Sequence, residues 1–290
     1  MLTITGKTKL LGIIGDPIEH SLSPVMQNAA LAEMGLDWVY LPFPVQGKNL
    51  TDAIAGFSAV GLQGFNVTIP HKQAIIFHLT EVSPLARAVG AVNTVWRSEA
   101  GWCGTNTDVA GFLAPLQSLD RDWSSVNVLC LGNGGAARAV VAGCTQLGCK
   151  TIQVVGRNPD KLQHFQDSWQ GSPFAESLAV HPWEALPDLL PTAGLIVNTT
   201  PIGMHPQVDQ SPLTIAEANL ISSQAIAYDL IYIPNPTQFL RQAHDRGALA
   251  IDGLEMLVQQ GAAALKIWTQ QAQVPVDTMR HALQKHLGLI

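Results

Sequence analysis

A chain of 290 residues with 47% hydrophobic and only 13% charged side chains can fill one large core or two modest ones. Its 16 basic and 22 acidic residues leave a formal net charge of −6, and no long basic run occurs, which excludes nucleic acid and acidic membrane surfaces as partners. No apolar run reaches the roughly 18 residues of a membrane span, and no apolar segment near the N-terminus leads to a small-residue cleavage site.

In chain order, strands are predicted over residues 10–15, 39–45 and 64–69, and helices over 24–34 and 50–60. Ser23-Pro24 and Ser83-Pro84 each place a capping hydroxyl before a proline in a first helical turn. Residues 64–72 read GFNVTIPHK. Strand alternation sends Phe65, Val67 and Ile69 to the core and puts Asn66 and Thr68 on the other face, with Lys72 just beyond the strand. Buried parallel strands are usually apolar on both faces, and ligands of open α/β sheets sit beyond strand carboxyl ends. This segment therefore reads as the wall of an active site. A solvated lysine after ordinary turn-forming residues is the competing local reading.

A second βα alternation begins with a strand over 126–131 and a helix over 135–146. A strand over 151–155 and a helix over 159–169 follow, then strands over 194–198 and 225–230 and one near Leu249. Residues 171–191 show little periodicity, and from residue 252 the chain is helical with a break at Val274-Pro275. Cys130 falls in an apolar strand, and Cys103, Cys144 and Cys149 show no CxxC spacing. Free thiols in a reducing cytosol are expected, with neither disulfides nor a metal site.

Gly132, Gly134 and Ala137 stand at the positions of a G-x-G-x-x-A fingerprint between that first strand and its helix. The first glycine allows the tight turn, the second lets a pyrophosphate approach the backbone, and the small third residue lets helix and strand pack closely. Free N–H groups at the helix start then face the phosphates. The next strand ends without the carboxylate that would favour NAD. Gly156 and Arg157 end it, followed by Asn158 and, one turn into the helix, Lys161. A guanidinium there suits a 2′-phosphate, so NADP is favoured while NAD and a plain surface Arg–Lys pair stay open.

With these blocks in hand, the chain resembles the shikimate dehydrogenase family. The match runs through GDPIEHSLSPVMQN (15–28), GFNVTIPHK, AVGAVNTV (88–95), GTNTDVAG (104–111), the nucleotide loop and GRNPDKL. It continues through NTTPIGM (198–204), YDLIY (228–232) and DGLEMLVQQG (252–261), in the family's order over nearly the whole chain. The resemblance implies an α/β protein of two domains. One is an N-terminal α/β substrate domain with a mostly parallel sheet, made of residues 1–108 plus 253–290. The other is a Rossmann-like, doubly wound NADP-binding domain over 109–252. It implies reversible NADPH-dependent reduction of 3-dehydroshikimate to shikimate in aromatic amino-acid biosynthesis, in the cytoplasm, by a monomer or a homodimer.

Matched motif by motif, the resemblance assigns Ser21 and Ser23 to the substrate carboxylate and Thr68, Asn93, Asp108, Tyr232 and Gln260 to substrate contacts. It makes Lys72 the catalytic lysine. Gly132, Asn133, Gly134, Gly135, Ala136 and Arg157 match cofactor contacts, beside which Asn158 and Lys161 are counted. Leu230 and Gly253 match residues near the nicotinamide. Asn133 and Ala137 in the nucleotide loop, and Gly156 before the arginine, depart from the commoner pattern.

Ketone reduction needs a hydride and a proton for the developing alkoxide. Lys72, protonated at neutral pH, can polarise the carbonyl and donate that proton, with Asp108 as its partner. The reverse reaction needs the neutral amine, so oxidation of shikimate is expected to accelerate above neutral pH while reduction does not. His71 and His20 compete as proton carriers. Asn66, Thr68, Asn93 and Gln260 can read a ring bearing several hydroxyls, which predicts narrow specificity for a polyhydroxylated cyclic acid. Rival readings are a quinate/shikimate dehydrogenase using NAD as readily as NADP, a non-catalytic shikimate or NADP sensor, and an unrelated Rossmann reductase.

Overall fold

A computed structural model describes residues 4–290. The chain forms two compact units, one comprising residues up to Gly111 together with Leu257–Ile290, the other Phe112–Met256.

The first unit is built from β1 (Lys9–Gly15), α1 (Ser23–Glu33), β2 (Trp38–Pro44), α2 (Leu50–Ala59), β3 (Gly64–Val67), β4 (Glu81–Val82), α3 (Pro84–Val89), β5 (Thr94–Ser98) and β6 (Gly101–Thr105), with α4 (Asp108–Gln117) starting at its end. Its six-stranded sheet has the order β2-β1-β3-β5-β6-β4. The β1–β2, β1–β3 and β4–β6 pairs are parallel, and β3–β5 and β5–β6 are antiparallel. The β5–β6 hairpin has no counterpart among the predicted elements, because TVWRS and GWCGT alternate poorly. Its two strands pair with each other, and β5 pairs in addition with β3. Phe65, Leu62, Val95 and Trp102 belong to the core beneath this sheet, with the Phe65 and Trp102 rings edge to face at 5.2 Å.

Two local expectations are corrected here. Strand β3 ends at Val67 rather than residue 69, and Ile69 is 70% exposed instead of entering the core. Pro70 has no N–H to continue a ladder, and the His71 N–H turns back to the Thr68 carbonyl. Ser23 is the first helical residue of α1 rather than its cap, and no side chain caps that helix. Ser83 does cap α3, accepting from the Ala86 N–H at 3.1 Å.

The second unit runs through β7 (Asn127–Leu131), α5 (Gly135–Gln146), β8 (Thr151–Gly156), α6 (Pro159–Asp167), β9 (Leu178–Pro182), α7 (Leu186–Leu189), β10 (Leu195–Asn198), α8 (Ile215–Ala218), β11 (Ile226–Asp229), α9 (Gln238–Asp245) and β12 (Leu249–Ile251). Its sheet has the order β12-β11-β10-β7-β8-β9, with every pair parallel. This is a doubly wound Rossmann order, whose switch point lies between β7 and β10. Strand β9 occupies the stretch that sequence periodicity left unassigned.

Two helices close the chain: α10 (Leu254–Thr269), which begins in the second unit and ends in the first, and α11 (Val276–His286). Within the first unit α11 packs on α1. Trp268 of α10 donates its indole N–H to the Val95 carbonyl at 2.9 Å.

Candidate active site

In the first unit, one continuous set of buried polar side chains ends at an ion pair. Lys72 lies on the turn that follows β3, and the Val92 N–H holds its carbonyl at 2.8 Å. Its ammonium stands 2.7 Å from Asp108 Oδ2, and the two side chains are 18% and 10% exposed. Asp108 is the first residue of α4, where the helix N-terminus favours a carboxylate. Its other oxygen accepts from Asn93 Nδ2 at 2.7 Å. Asn93 is fixed in turn, because its Oδ1 accepts from the Thr107 N–H at 2.7 Å.

The set continues away from the ion pair. Thr94 Oγ1 lies 2.9 Å from Thr107 Oγ1. Asn66 Nδ2 donates to Thr94 Oγ1 at 3.1 Å and to the Asn93 carbonyl at 3.0 Å. Tyr40 of β2 donates its hydroxyl to Asn66 Oδ1 at 2.7 Å. Asn66, Asn93, Thr94 and Thr107 are all buried. A buried polar group left without a partner costs about 1–3 kcal/mol, so this geometry resists rearrangement. A carboxylate with both oxygens engaged and an ammonium still partly open to solvent form a unit that can hold and transfer one proton.

Of the residues expected at the substrate, Lys72, Asp108, Asn93 and Asn66 are therefore brought together. Gln260 on α10 joins them, its Oε1 3.5 Å from Asn93 Nδ2. Ser21 and Ser23 meet at the start of α1, where the Ser23 N–H donates to Ser21 Oγ at 3.3 Å. The phenol of Tyr40 is buried, which holds it neutral well above the ordinary tyrosine range. Thr68 is half-buried just past the end of β3. His71 is buried with its Nε2 2.5 Å from the Val45 carbonyl, which commits that ring to the backbone. His20 is exposed.

Sequence reasoning missed three members of this set: Tyr40, Thr94 and Thr107. Tyr40 sits in WVYLPFP, which reads as plain core. A tyrosine rather than a phenylalanine in such a strand is nevertheless a signal, since a buried hydroxyl needs a partner.

In the second unit, the loop after β7 has the shape a pyrophosphate requires. Gly132 takes φ +103°, and a Cβ there would stand 2.9 Å from Thr199 Oγ1. Only glycine fits. A Cβ on Gly134 or Gly135 would meet nothing within 4 Å, and no side chain caps the first N–H groups of α5. Open space before uncapped donors fits an anion. Asn133 and Ala136 flank these glycines, half-buried.

The two departures at positions 133 and 156 prove to be neighbours. A Cβ on Gly156 would lie 2.9 Å from Asn133 Oδ1, so the side chain at one position occupies the space surrendered at the other. Arg157 and Lys161 are exposed beyond β8. Asn158 caps α6, its Oδ1 accepting from the Lys161 N–H at 2.9 Å, so its side-chain oxygen is spent on the helix. Any Cβ at Gly253 would collide with the Leu230 carbonyl, and the Gly253 N–H donates to the Ile231 carbonyl at 3.1 Å. Tyr232 is half-buried two residues past Leu230. Among the described residues no cluster of three or more metal-ligating side chains occurs, and no helix is long and apolar enough to cross a membrane.

Comparison with known proteins adds independent findings. Residues 13–95 match the shikimate dehydrogenase substrate binding domain, and residues 253–284 match the shikimate 5′-dehydrogenase C-terminal domain. The NADP(+) shikimate dehydrogenase of Trichormus variabilis is 65% identical over 288 residues, which is 99% of this chain and 100% of that one. The crystal structure of a shikimate dehydrogenase in complex with NADP+ superposes with a TM-score of 0.89 at 35% identity, covering 98% of each chain. A Thermus thermophilus shikimate 5-dehydrogenase in complex with NADP(H) and shikimate gives a TM-score of 0.83 at 33% identity, covering 96% of this chain and 99% of its own.

Proposed function

The chain belongs to the shikimate dehydrogenase family, and on that premise we propose that it carries out the reversible NADPH-dependent reduction of 3-dehydroshikimate to shikimate in aromatic amino-acid biosynthesis. It is an NADP-dependent oxidoreductase with a Rossmann-like second unit. The observation that carries the reading is the Lys72–Asp108 pair at 2.7 Å, at the end of a polar set able to read hydroxyls.

When bound, NADPH supplies the hydride. In this reading the Lys72 ammonium polarises the substrate ketone and gives its proton to the oxygen as alkoxide character develops. Asp108 orients the ammonium through Oδ2 while Asn93 holds Oδ1. In the reverse direction the neutral amine of Lys72 takes the hydroxyl proton of shikimate. Ser21 and Ser23 take the substrate carboxylate, aided by the N-terminus of α1. Thr68, Asn66, Asn93, Gln260 and Tyr232 contact the rest of the substrate. Gly132, Asn133, Gly134, Gly135 and Ala136 would hold the pyrophosphate. Arg157, with Lys161 near it, would hold the 2′-phosphate, and Leu230 and Gly253 would border the nicotinamide.

We assign the enzyme to the cytoplasm. Four unpaired cysteines suit that compartment. A spectrophotometric assay following NADPH formation from shikimate tests the reading, with quinate and NAD as controls. Rapid turnover of shikimate with NADP+, and slow turnover in either control, is the expected result. Absence of shikimate turnover would remove it, and equal rates with quinate and NAD would replace it with the broader dehydrogenase.

A further inference from the structure

Tyr40 is fully buried on β2 and carries a hydroxyl, where a phenylalanine would give the same ring packing beside Trp268. That hydroxyl donates to Asn66 Oδ1 at 2.7 Å. Both hydrogens of the Asn66 amide are committed, one to the Asn93 carbonyl and one to Thr94 Oγ1. An amide has two donor hydrogens and an oxygen with two lone pairs. Once Tyr40 has taken one lone pair, the other is all that Asn66 can offer a ligand. A hydroxyl meeting Asn66 therefore meets an acceptor, never a donor.

We infer that Tyr40 is a positioning residue that holds the Asn66 side-chain oxygen in place, so that its remaining lone pair is presented to a substrate hydroxyl that donates. The phenol acts through the amide and touches no reacting atom. Without its O–H, Asn66 Oδ1 loses the partner that holds the amide in register. The Asn93 carbonyl, which can only accept, keeps the NH2 end where it is, so the phenol governs where the oxygen sits rather than which end of the amide faces a ligand. The inference rests on the substrate reading given above, in which Asn66 contacts the ring.

The test is a double-mutant cycle read by steady-state kinetics in the oxidative direction. Tyr40→Phe is expected to raise KM for shikimate about three- to tenfold, the usual worth of one hydrogen bond. It should leave kcat within about twofold and KM for NADP+ unmoved, since the acid–base pair and the cofactor loop are untouched. In an Asn66→Ala background the same substitution should change KM by less than about twofold. A merely structural role would move KM equally in both backgrounds, and that result would overturn the inference, as would an unchanged KM in the single variant. Side-chain amide NMR of the parent protein gives a reading that does not depend on a variant's folding. The Asn66 NH2 should be protected from solvent exchange in the ligand-free state, and exchange at the rate of an exposed amide would also overturn the proposal. A parent chain without shikimate turnover would sink the functional reading itself. Normal parent turnover with a flat cycle sinks only the role of Tyr40.

Discussion

Lys72 and Asp108 are anchored from different sides, one on a turn and the other at a helix start, and their charged groups meet at 2.7 Å. Replacing Lys72 by alanine leaves Asp108 and Asn93 in place and removes only the proton donor. The kcat of Lys72→Ala in either direction should fall by roughly 10²–10⁴-fold, the usual size of general acid–base catalysis, and near-normal turnover would refute the assignment. Arg157 poses a separate question. If its guanidinium binds the 2′-phosphate, Arg157→Ala should raise KM for NADP+ by about 10–100-fold, as a lost charge-assisted hydrogen bond would. Rates with NAD should barely change, and equal loss with both cofactors would point to folding instead.

Asp229, in the second unit, titrates for a structural reason. Burial pushes its carboxyl up to about 6, although Thr237, the Ile231 N–H and Asn198 all donate to it and pull the other way. In the unfolded chain the same group ionises near ~3.9. As pH rises through that interval the unfolded state loses its proton first, so the stability contributed by Asp229 is complete below about pH 4 and is lost by the time pH passes about 6. Chemical denaturation of the parent and Asp229→Asn should therefore give a stability difference that shifts against the parent by on the order of 2–3 kcal/mol between those limits and is flat above them.

Among elements, two glycines separate backbone need from coincidence. A Cβ on Gly64 would press on the Trp268 indole and stand 2.7 Å from the Val95 carbonyl, the group that indole is bonded to. Gly64→Ala should cost about 1–3 kcal/mol through overpacking, read as a lower melting temperature. Gly56, inside α2, has open space where its Cβ would be, and Gly56→Ala should gain about 0.5–1 kcal/mol by helix propensity.

The elements visible in the sequence were those whose burial is written in their own residues. LLGII in β1, VLCL in β7 and the capped start of α3 show this. The β5–β6 hairpin and β9 were hidden because serine, glycine, arginine and histidine interrupt them, and β5 and β9 lean on the neighbouring strands β3 and β8 for ladders. The site divides in the same way. Lys72, Asp108 and the glycine loop stand in compact motifs, whereas Tyr40, Thr94 and Thr107 owe their importance to neighbours brought up by the sheet.

At the scale of the molecule, the two units differ in how the chain supplies them. The second is a single uninterrupted stretch, Phe112–Met256. The first needs its own N-terminal residues and the last two helices as well, since Gln27 donates to the Gly261 carbonyl at 3.0 Å and α1 packs on α11. A fragment of residues 112–256 should fold by itself, giving a cooperative melt and dispersed NMR spectra. A fragment of residues 1–111 should stay unfolded until a peptide of residues 254–290 is added. Independent folding of the shorter N-terminal fragment would contradict this.

That split has a consequence for how the protein matures during synthesis. Translation delivers β1 to β6 first, but Trp268 and α11 leave the ribosome only after the whole of the second unit. The second unit, although made later, is complete before those helices emerge and can fold as a unit while the chain is still tethered. The half made first must wait, partly uncovered, until its missing helices have emerged.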